Sequence, residues 1–141
     1  QMYDNLQTTF ANNKQLCLLG FTDQVSLLMD ASDVIFTKPG GITSTEAIVK
    51  NIPIVHTAPI PGLENYNARF FHNHGMSYHT NDTNQQVVIA MRLCEDKAFR
   101  NRMLQQQRLN SNPHTSDDVI DLILNKQEIV YEEQETTHIA R

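Results

Sequence analysis

The sequence lacks a run of basic residues, a long apolar segment and closely spaced cysteines. Lysine and arginine total 11 against 16 aspartates and glutamates, for a formal net charge of −5, so sequence-independent binding to nucleic acid is not expected. No apolar stretch approaches the roughly 20 residues that a membrane-spanning helix needs. The two cysteines, Cys17 and Cys94, lie far apart in apolar settings. We therefore expect buried, unpaired thiols in a reducing compartment, which is typical of a cytoplasmic protein.

The N-terminal segment QMYDNLQTTF has neither the basic and apolar regions of a signal peptide nor a methionine at position 1. Its apolar residues already recur at helical spacing. We expect this chain to be part of a longer protein, with strands of the same sheet on its N-terminal side.

Short apolar runs alternate with helical patterns along the 141 residues, a length that suits one domain with a modest core. The expected strands are 15–20, 33–37, 52–57 and 76–80. The expected helices are 1–12, 24–31, 43–51, 63–75, 83–93, 95–109 and 115–125. This alternation predicts an α/β fold, a Rossmann-like parallel sheet with flanking helices, whose ligands bind at the carboxyl ends of the strands. Residues 127–141 are polar and aperiodic, which predicts a disordered tail.

The stretch FTKPGGITSTEA, residues 36–47, places two glycines between a predicted strand and a predicted helix. We expect the helix to begin near Thr43. Free backbone N–H groups and the positive end of the helix dipole then face the same point, and glycines let an anion approach the backbone closely. The pattern is neither a Walker A loop nor a dinucleotide-binding fingerprint. A phosphate site and a simple glycine turn are both compatible with it.

Glu46 has two interpretations. The segment Thr43–Glu46 matches a capping box, in which the glutamate accepts a hydrogen bond from the backbone N–H group of the N-cap residue. Alternatively, the carboxylate binds a vicinal diol, such as the ribose hydroxyls of a nucleotide at the edge of a pocket. The local pattern taken alone favours the capping box.

A second motif, APIPGLENYN, follows the predicted strand 52–57. Its prolines stiffen a loop, Gly62 permits a sharp turn, and Glu64 and Asn67 share a face at the start of a helix. Because the carboxyl ends of parallel strands meet at one edge of a sheet, we expect this pair beside the first motif. A carboxylate and an amide suit a hydroxyl-rich ligand, although a helix N-terminal acid and a solvated asparagine are also common.

The two motifs, preceded by LGFTDQVSLLMDASDVI, resemble the C-terminal half of UDP-sugar glycosyltransferases of the GT-B fold. The resemblance is closest to the processive diacylglycerol glucosyltransferases and the monogalactosyldiacylglycerol synthases, and the peptidoglycan N-acetylglucosaminyltransferase shares the layout. It depends on K-P-G-G-I-T-x-T-E-A followed further along by P-G-x-E-x-x-N, a specific combination. It implies that residues 1–126 form a partial nucleotide-sugar-binding domain, N-terminally truncated.

The resemblance assigns the first motif to the nucleotide. Gly40, Gly41 and Thr43 would hold the diphosphate at the start of the helix. Glu46 would bind the ribose hydroxyls, and this role outweighs the capping box once the resemblance is taken into account. Lys38 would add positive charge near the phosphates, or would simply be a solvated lysine.

The resemblance also assigns the uracil and the sugar. Phe21 would pack against the uracil and the backbone of Thr22 would bind the edge of the base. Glu64 and Asn67 would contact the sugar. The lipid glycosyltransferases usually carry P-G-Q-E, whereas this chain has Leu63 in place of the glutamine, so the identity of the hexose stays open.

The function that the resemblance implies is an inverting transfer of a hexose from a UDP-sugar to a lipid acceptor such as diacylglycerol. The general base, the acceptor site and peripheral contact with the inner face of the membrane are expected in a separate N-terminal domain. We therefore assign no catalytic residue, metal or cofactor to this chain, and we expect it to be inactive alone. The alternatives are a non-catalytic nucleotide-sugar-binding subunit, a glycosyltransferase of cell-wall precursors, and a sugar-nucleotide epimerase of the same fold.

Overall fold

The computed structural model of the protein describes residues 2–112 and 114–124. The chain divides into two units, residues 1–111 and residues 112–141. Residues 127–141, which the sequence predicts to be a disordered tail, lie outside the described residues. The functional motifs all belong to the first unit.

The first unit alternates helices with short strands, as the sequence predicts. Its elements are α1 (Met2–Phe10), α2 (Val25–Asp30), β1 (Ile35–Thr37), α3 (Gly41–Val49), β2 (Ile54–His56), α4 (Leu63–Asn73), β3 (Tyr78–His79), α5 (Thr83–Glu95) and α6 (Lys97–Asn110). The second unit contains α7 (Thr115–Leu124). No helix in the described residues is long and apolar enough to cross a membrane.

The three strands form one parallel sheet in the order β1-β2-β3. Ile35 pairs with Ile54, and Val55 of the central strand pairs with Tyr78. This arrangement confirms the predicted α/β fold with a parallel sheet and flanking helices. It also means that the chain segments after β1 and β2 leave the sheet at the same edge.

Residues 15–20 do not form the predicted strand. The segment is irregular in the structure, and the described sheet has three strands. Leu16 and Leu19 are exposed, because no neighbouring strand supplies the hydrogen bonds and packing that an apolar extended segment needs. The prediction of a strand at residues 15–20 was therefore wrong, because an apolar run forms a strand only beside a pairing partner.

The cysteines are also not buried as predicted. Both Cys17 and Cys94 are free thiols and both are exposed. Cys17 belongs to the irregular segment 15–20. Cys94 follows the buried Leu93 along α5, so it points away from the side of the helix that faces the core. The absence of a disulfide is as predicted, but the burial is not.

The hydrophobic core lies on both faces of β2. Ile54 belongs to a cluster with residues of α3 and α4, whereas Val55 belongs to a second cluster with residues of α5 and α6. Successive residues of a strand point to opposite faces of the sheet, so these two neighbours serve different layers. The helices thus cover the sheet from both sides, as in a parallel α/β fold.

Local signals account for two of the helix boundaries near the core. Asp82 caps α5, since its carboxylate accepts hydrogen bonds from the N–H groups of Asn84 and Gln85. Gly75 lies just beyond α4 at φ +68°, a left-handed conformation that glycine adopts without steric cost. The helix therefore ends close to residue 75, where the expected helix 63–75 ends.

A buried amide connects α6 to the segments that flank β2 and β3. Nε2 of Gln107 donates to the carbonyl oxygens of Ile52 and Met76, both at 2.9 Å, and its Oε1 accepts from Nδ2 of Asn51 at 3.0 Å. Gln107 is fully buried. Its hydrogen bonds satisfy two buried carbonyls that would otherwise lack a partner.

We expect Gln107→Leu to lower the free energy of unfolding by at least about 2 kcal/mol, because the two carbonyls lose their donors inside the core. Gln105→Leu is the matched control, since Gln105 lies on the exposed side of the same helix. The two variants and the wild type should be compared by urea denaturation. Equal midpoints for both variants would show that Gln107 is dispensable.

Candidate functional site

The glycine turn and the start of α3 form the centre of the candidate site. Gly40 is the N-cap residue, at φ −72° and ψ 145°, and no side chain caps the helix. The first N–H group with a helical acceptor belongs to Ser44, which bonds to the carbonyl of Gly40 at 3.2 Å. The N–H groups of the first turn before Ser44 are therefore available to an external acceptor, which is the arrangement of an anion site.

The fold itself does not require glycine at positions 40 and 41. Neither residue has a positive φ, and a Cβ added to either would have nothing within 4 Å. An L-residue would therefore fit both positions without strain or contact. The turn alone therefore does not explain why positions 40 and 41 are glycine. Close approach of a ligand to the backbone does explain it.

The capping-box interpretation of Glu46 is wrong. The helix begins at Gly41, earlier than the expected start near Thr43, so Thr43 lies inside the first turn and is not the N-cap residue. A capping box needs the glutamate at the third helical position, and Glu46 lies further along. The Glu46 side chain is exposed and makes no hydrogen bond with the described residues. Its carboxylate is therefore free for a ligand.

The second motif begins α4 at a glycine that the fold does require. Gly62 has φ 116° and ψ −129°, a conformation that residues with a side chain rarely adopt. The carboxylate of Glu64 accepts a hydrogen bond from the N–H group of Ile60 at 2.6 Å. Glu64 thus holds the loop before α4 through one oxygen, and its other oxygen makes no hydrogen bond with the described residues.

Asn67 joins the two motifs directly. Its Nδ2 donates to the carbonyl of Pro39 at 3.0 Å, and Pro39 is buried in the turn that precedes α3. The side-chain oxygen of Asn67 has no partner among the described residues. The second motif therefore lies beside the first, and one of its side chains fixes the backbone of the glycine turn.

The structure does not bring Phe21 and Thr22 to this group. The Phe21 side chain is fully exposed, at 105% relative accessibility. The Thr22 hydroxyl accepts a hydrogen bond from the N–H group of Gln24 at 3.1 Å, next to the start of α2. No described hydrogen bond or ring contact joins either residue to α3 or α4. Their assignment to the uracil stays a prediction from the resemblance.

A buried pair behind the glycine turn was not identified as such from the sequence. The Ser44 hydroxyl and Nε2 of His56 lie 2.9 Å apart and share a hydrogen bond, and both residues are fully buried. Nδ1 of His56 has no partner among the described residues. The pair connects the first turns of α3 to the carboxyl end of β2, so it positions the helix N-terminus against the sheet.

Burial lowers the pKa of His56 from 6.5 to about 4, and the neighbouring His79 adds a smaller lowering. Transfer of a charged imidazolium into the core is unfavourable, so the ring stays neutral at neutral pH. A neutral ring has one nitrogen that donates and one that accepts. His56 therefore acts as a hydrogen-bonding spacer between β2 and α3.

We expect the free energy of unfolding to fall as the pH is lowered from 6.5 to about 4. Above this range His56 is neutral in both states, whereas within it the unfolded chain binds the proton more readily than the folded one. The contribution is at most about 1.4 kcal/mol per pH unit. Urea denaturation of the wild type and of His56→Gln at each pH isolates the contribution of His56, because the glutamine does not titrate. Identical pH dependence in the two proteins would contradict the assignment.

No protein-family profile matches the chain. Among curated proteins, it is 30% identical over 116 residues to the processive diacylglycerol β-glucosyltransferase of Bacillus pumilus, covering 82% of this chain and 30% of that protein. The corresponding enzyme of Staphylococcus carnosus is 31% identical over 103 residues, with 73% and 26% covered. That of Bacillus subtilis is 29% identical over 123 residues, with 87% and 32% covered.

The fold and the site define a parallel α/β domain in which an uncapped helix start lies at the carboxyl edge of the sheet. The comparisons then confirm the family resemblance: the chain is related to the processive diacylglycerol β-glucosyltransferases, which are glycosyltransferases, over most of its length. The chain spans between about a quarter and a third of the length of these relatives. Within the described residues, no group of three or more histidine, cysteine, aspartate or glutamate side chains could hold a metal ion.

Proposed function

We propose that this chain is the UDP-sugar-binding part of a glycosyltransferase that transfers a hexose to a lipid acceptor such as diacylglycerol. The observation that carries the proposal is the uncapped start of α3, with two glycines that the fold does not require and an exposed carboxylate at Glu46. In the turn before it, the carbonyl of Pro39 accepts a hydrogen bond from Asn67 of the second motif. The names of the relatives supply the acceptor class. In this proposal the chain is the C-terminal domain of a GT-B enzyme.

The diphosphate occupies the start of α3. The free N–H groups of the first turn donate to the phosphate oxygens, and the helix dipole adds a favourable field. Because Gly40 and Gly41 have no Cβ, the phosphates reach the backbone directly. Lys38 is exposed beside the turn and supplies a positive charge.

The two carboxylates bind the hydroxyl groups of the donor. Glu46 accepts from the ribose hydroxyls, and Glu64 and Asn67 contact the hexose with the atoms that their structural hydrogen bonds leave unused. Phe21 and Thr22 bind the uracil. Leu63 places an apolar side chain beside the hexose contacts, where the lipid glycosyltransferases carry an amide. This difference affects which hexose the site accepts.

In the reaction, a general base outside this chain removes the proton of the acceptor hydroxyl. The acceptor oxygen attacks the anomeric carbon from the face opposite the leaving group, the bond from that carbon to the phosphate oxygen breaks, and UDP departs. Negative charge builds up on the diphosphate as this bond breaks, and the N–H groups at the start of α3 stabilise it. The reaction takes place in the cytoplasm, with contact to the inner face of the membrane through another domain.

We expect Glu46→Gln to weaken UDP binding by about 1.5–3 kcal/mol, because the ribose loses a charged hydrogen-bond acceptor. The melting temperature should not change, since the Glu46 side chain caps no helix and makes no hydrogen bond with the described residues. Glu95→Gln, an exposed position on α5, is the matched control. Calorimetric titration of UDP into the intact protein measures the effect. Unchanged affinity in Glu46→Gln would remove Glu46 from the site.

A second substitution, at the glycine turn, distinguishes an effect on ligand binding from an effect on the stability of the fold. We expect Gly41→Ala to leave the melting temperature unchanged or higher, because the added Cβ meets nothing and alanine favours a helix. UDP affinity should fall about tenfold or more, as the methyl group keeps the phosphates from the N–H groups. Uridine, which has no phosphate, should bind both proteins equally. Full retention of UDP affinity by Gly41→Ala would overturn the phosphate assignment.

A further inference from the structure

The backbone at the start of α3 lies between two buried anchor points. Before the helix, Pro39 is buried, and its carbonyl accepts the hydrogen bond from Asn67 at 3.0 Å. After the first turn, Ser44 is fully buried, and its hydroxyl shares a hydrogen bond with Nε2 of His56 at 2.9 Å. Residues 40–43, between the two anchors, are exposed or only partly buried. The backbone that faces solvent is therefore fixed at both ends from inside the protein.

Both anchoring side chains come from one segment of the chain. His56 is the last residue of β2, and Asn67 lies in α4, the next helix. Directly after β2, the N–H group of Thr57 donates to the carbonyl of Thr37 at 2.9 Å, which joins the carboxyl ends of β2 and β1. Phe71 of α4 belongs to the same core cluster as β2. The sheet and the helix packed on it thus set the position of both anchors.

Stability alone does not account for the buried pair of Ser44 and His56. Burial of a hydroxyl and an imidazole ring carries a desolvation cost, and Nδ1 of His56 has no partner among the described residues to offset it. Replacement of both partners by apolar groups of similar shape is nearly neutral or stabilising in such cases. An apolar pair, however, lacks direction, whereas a hydrogen bond weakens steeply when its angle changes. The polar pair therefore fixes the orientation of α3 with little gain in stability.

We propose that Ser44 and His56 are positioning residues of the donor site. Together with the bond from Asn67, they hold the N–H groups of residues 41–43 in place for the phosphates before the ligand binds. This inference rests on the proposed function, in which those N–H groups bind the diphosphate. Ser44 and His56 do not touch the ligand, since both are fully buried. Their contribution is preorganisation, because donors that are already oriented need no ordering when UDP binds.

The central experiment is a double replacement, Ser44→Ala together with His56→Leu. Both polar groups leave the core, so we expect the melting temperature to stay the same or to rise. The Kd for UDP should rise about tenfold, because the N–H groups lose their fixed orientation. The Kd for uridine, which has no phosphate, should not change. Calorimetric titration of both ligands into the intact protein measures these effects. Wild-type affinity for UDP in the double variant would overturn the positioning role.

Two further variants decide the matter if the double variant is less stable than the wild type. His56→Gln retains a hydrogen bond to Ser44, because the amide nitrogen of glutamine can take the place of Nε2, and its Kd for UDP should stay within about twofold of the wild type. Gln107→Leu is the matched control. It also removes a buried hydrogen-bonding side chain, but the carbonyls that it frees precede β2 and β3, at the opposite edge of the sheet. It should lower stability and leave UDP affinity unchanged. Equal losses of UDP affinity in Gln107→Leu and the double variant would indicate general destabilisation and contradict the proposal.

Uridine also distinguishes a failure of the phosphate site from a failure of the positioning role. If the wild type binds uridine as tightly as UDP, the start of α3 holds no phosphate, and both the proposed function and the positioning role are wrong. If the wild type prefers UDP and Gly41→Ala removes this preference while the double variant keeps it, the phosphate site stands and only the positioning role is wrong.

Discussion

The burial of β2 on both faces is the constraint on which the rest of the structure depends. Ile54 packs into one layer of the core, Val55 into the other, and His56 turns back to bond with Ser44 of α3. Three consecutive residues thus fix the helices on both sides of the sheet and the start of the helix that carries the glycine turn. The position of the candidate site is therefore set by the packing of the core rather than by the loops around the site.

The periodicity of the sequence was enough to predict the parallel sheet and most of the helices, because alternating strand and helix patterns have few possible arrangements. Two local patterns misled. Threonine and serine are favoured N-cap residues, yet α3 begins at Gly41, where the chain leaves the sheet. The apolar segment 15–20 looks like a strand, but a strand is defined by its partner, which a local pattern does not contain.

The site could be predicted in outline and not in its contacts. The rule that parallel strands end at one edge placed Glu64 and Asn67 near the glycines. It could not show that Asn67 donates to Pro39 or that Glu64 accepts from Ile60, because these bonds depend on the path of two loops. The pairing of Ser44 with His56 was equally out of reach, since it depends on the distance between a helix and a strand that are separate in sequence.

The glycines of this domain are under different kinds of constraint. At Gly62 the backbone conformation demands glycine, so any replacement is opposed by folding itself. At Gly40 and Gly41 the fold exerts no such demand. In an evolving lineage, drift can therefore remove the latter pair without harm to folding once a protein no longer uses its ligand. Retention of both glycines in a homologue is then a record of selection for binding, whereas retention of Gly62 records only selection for a folded chain.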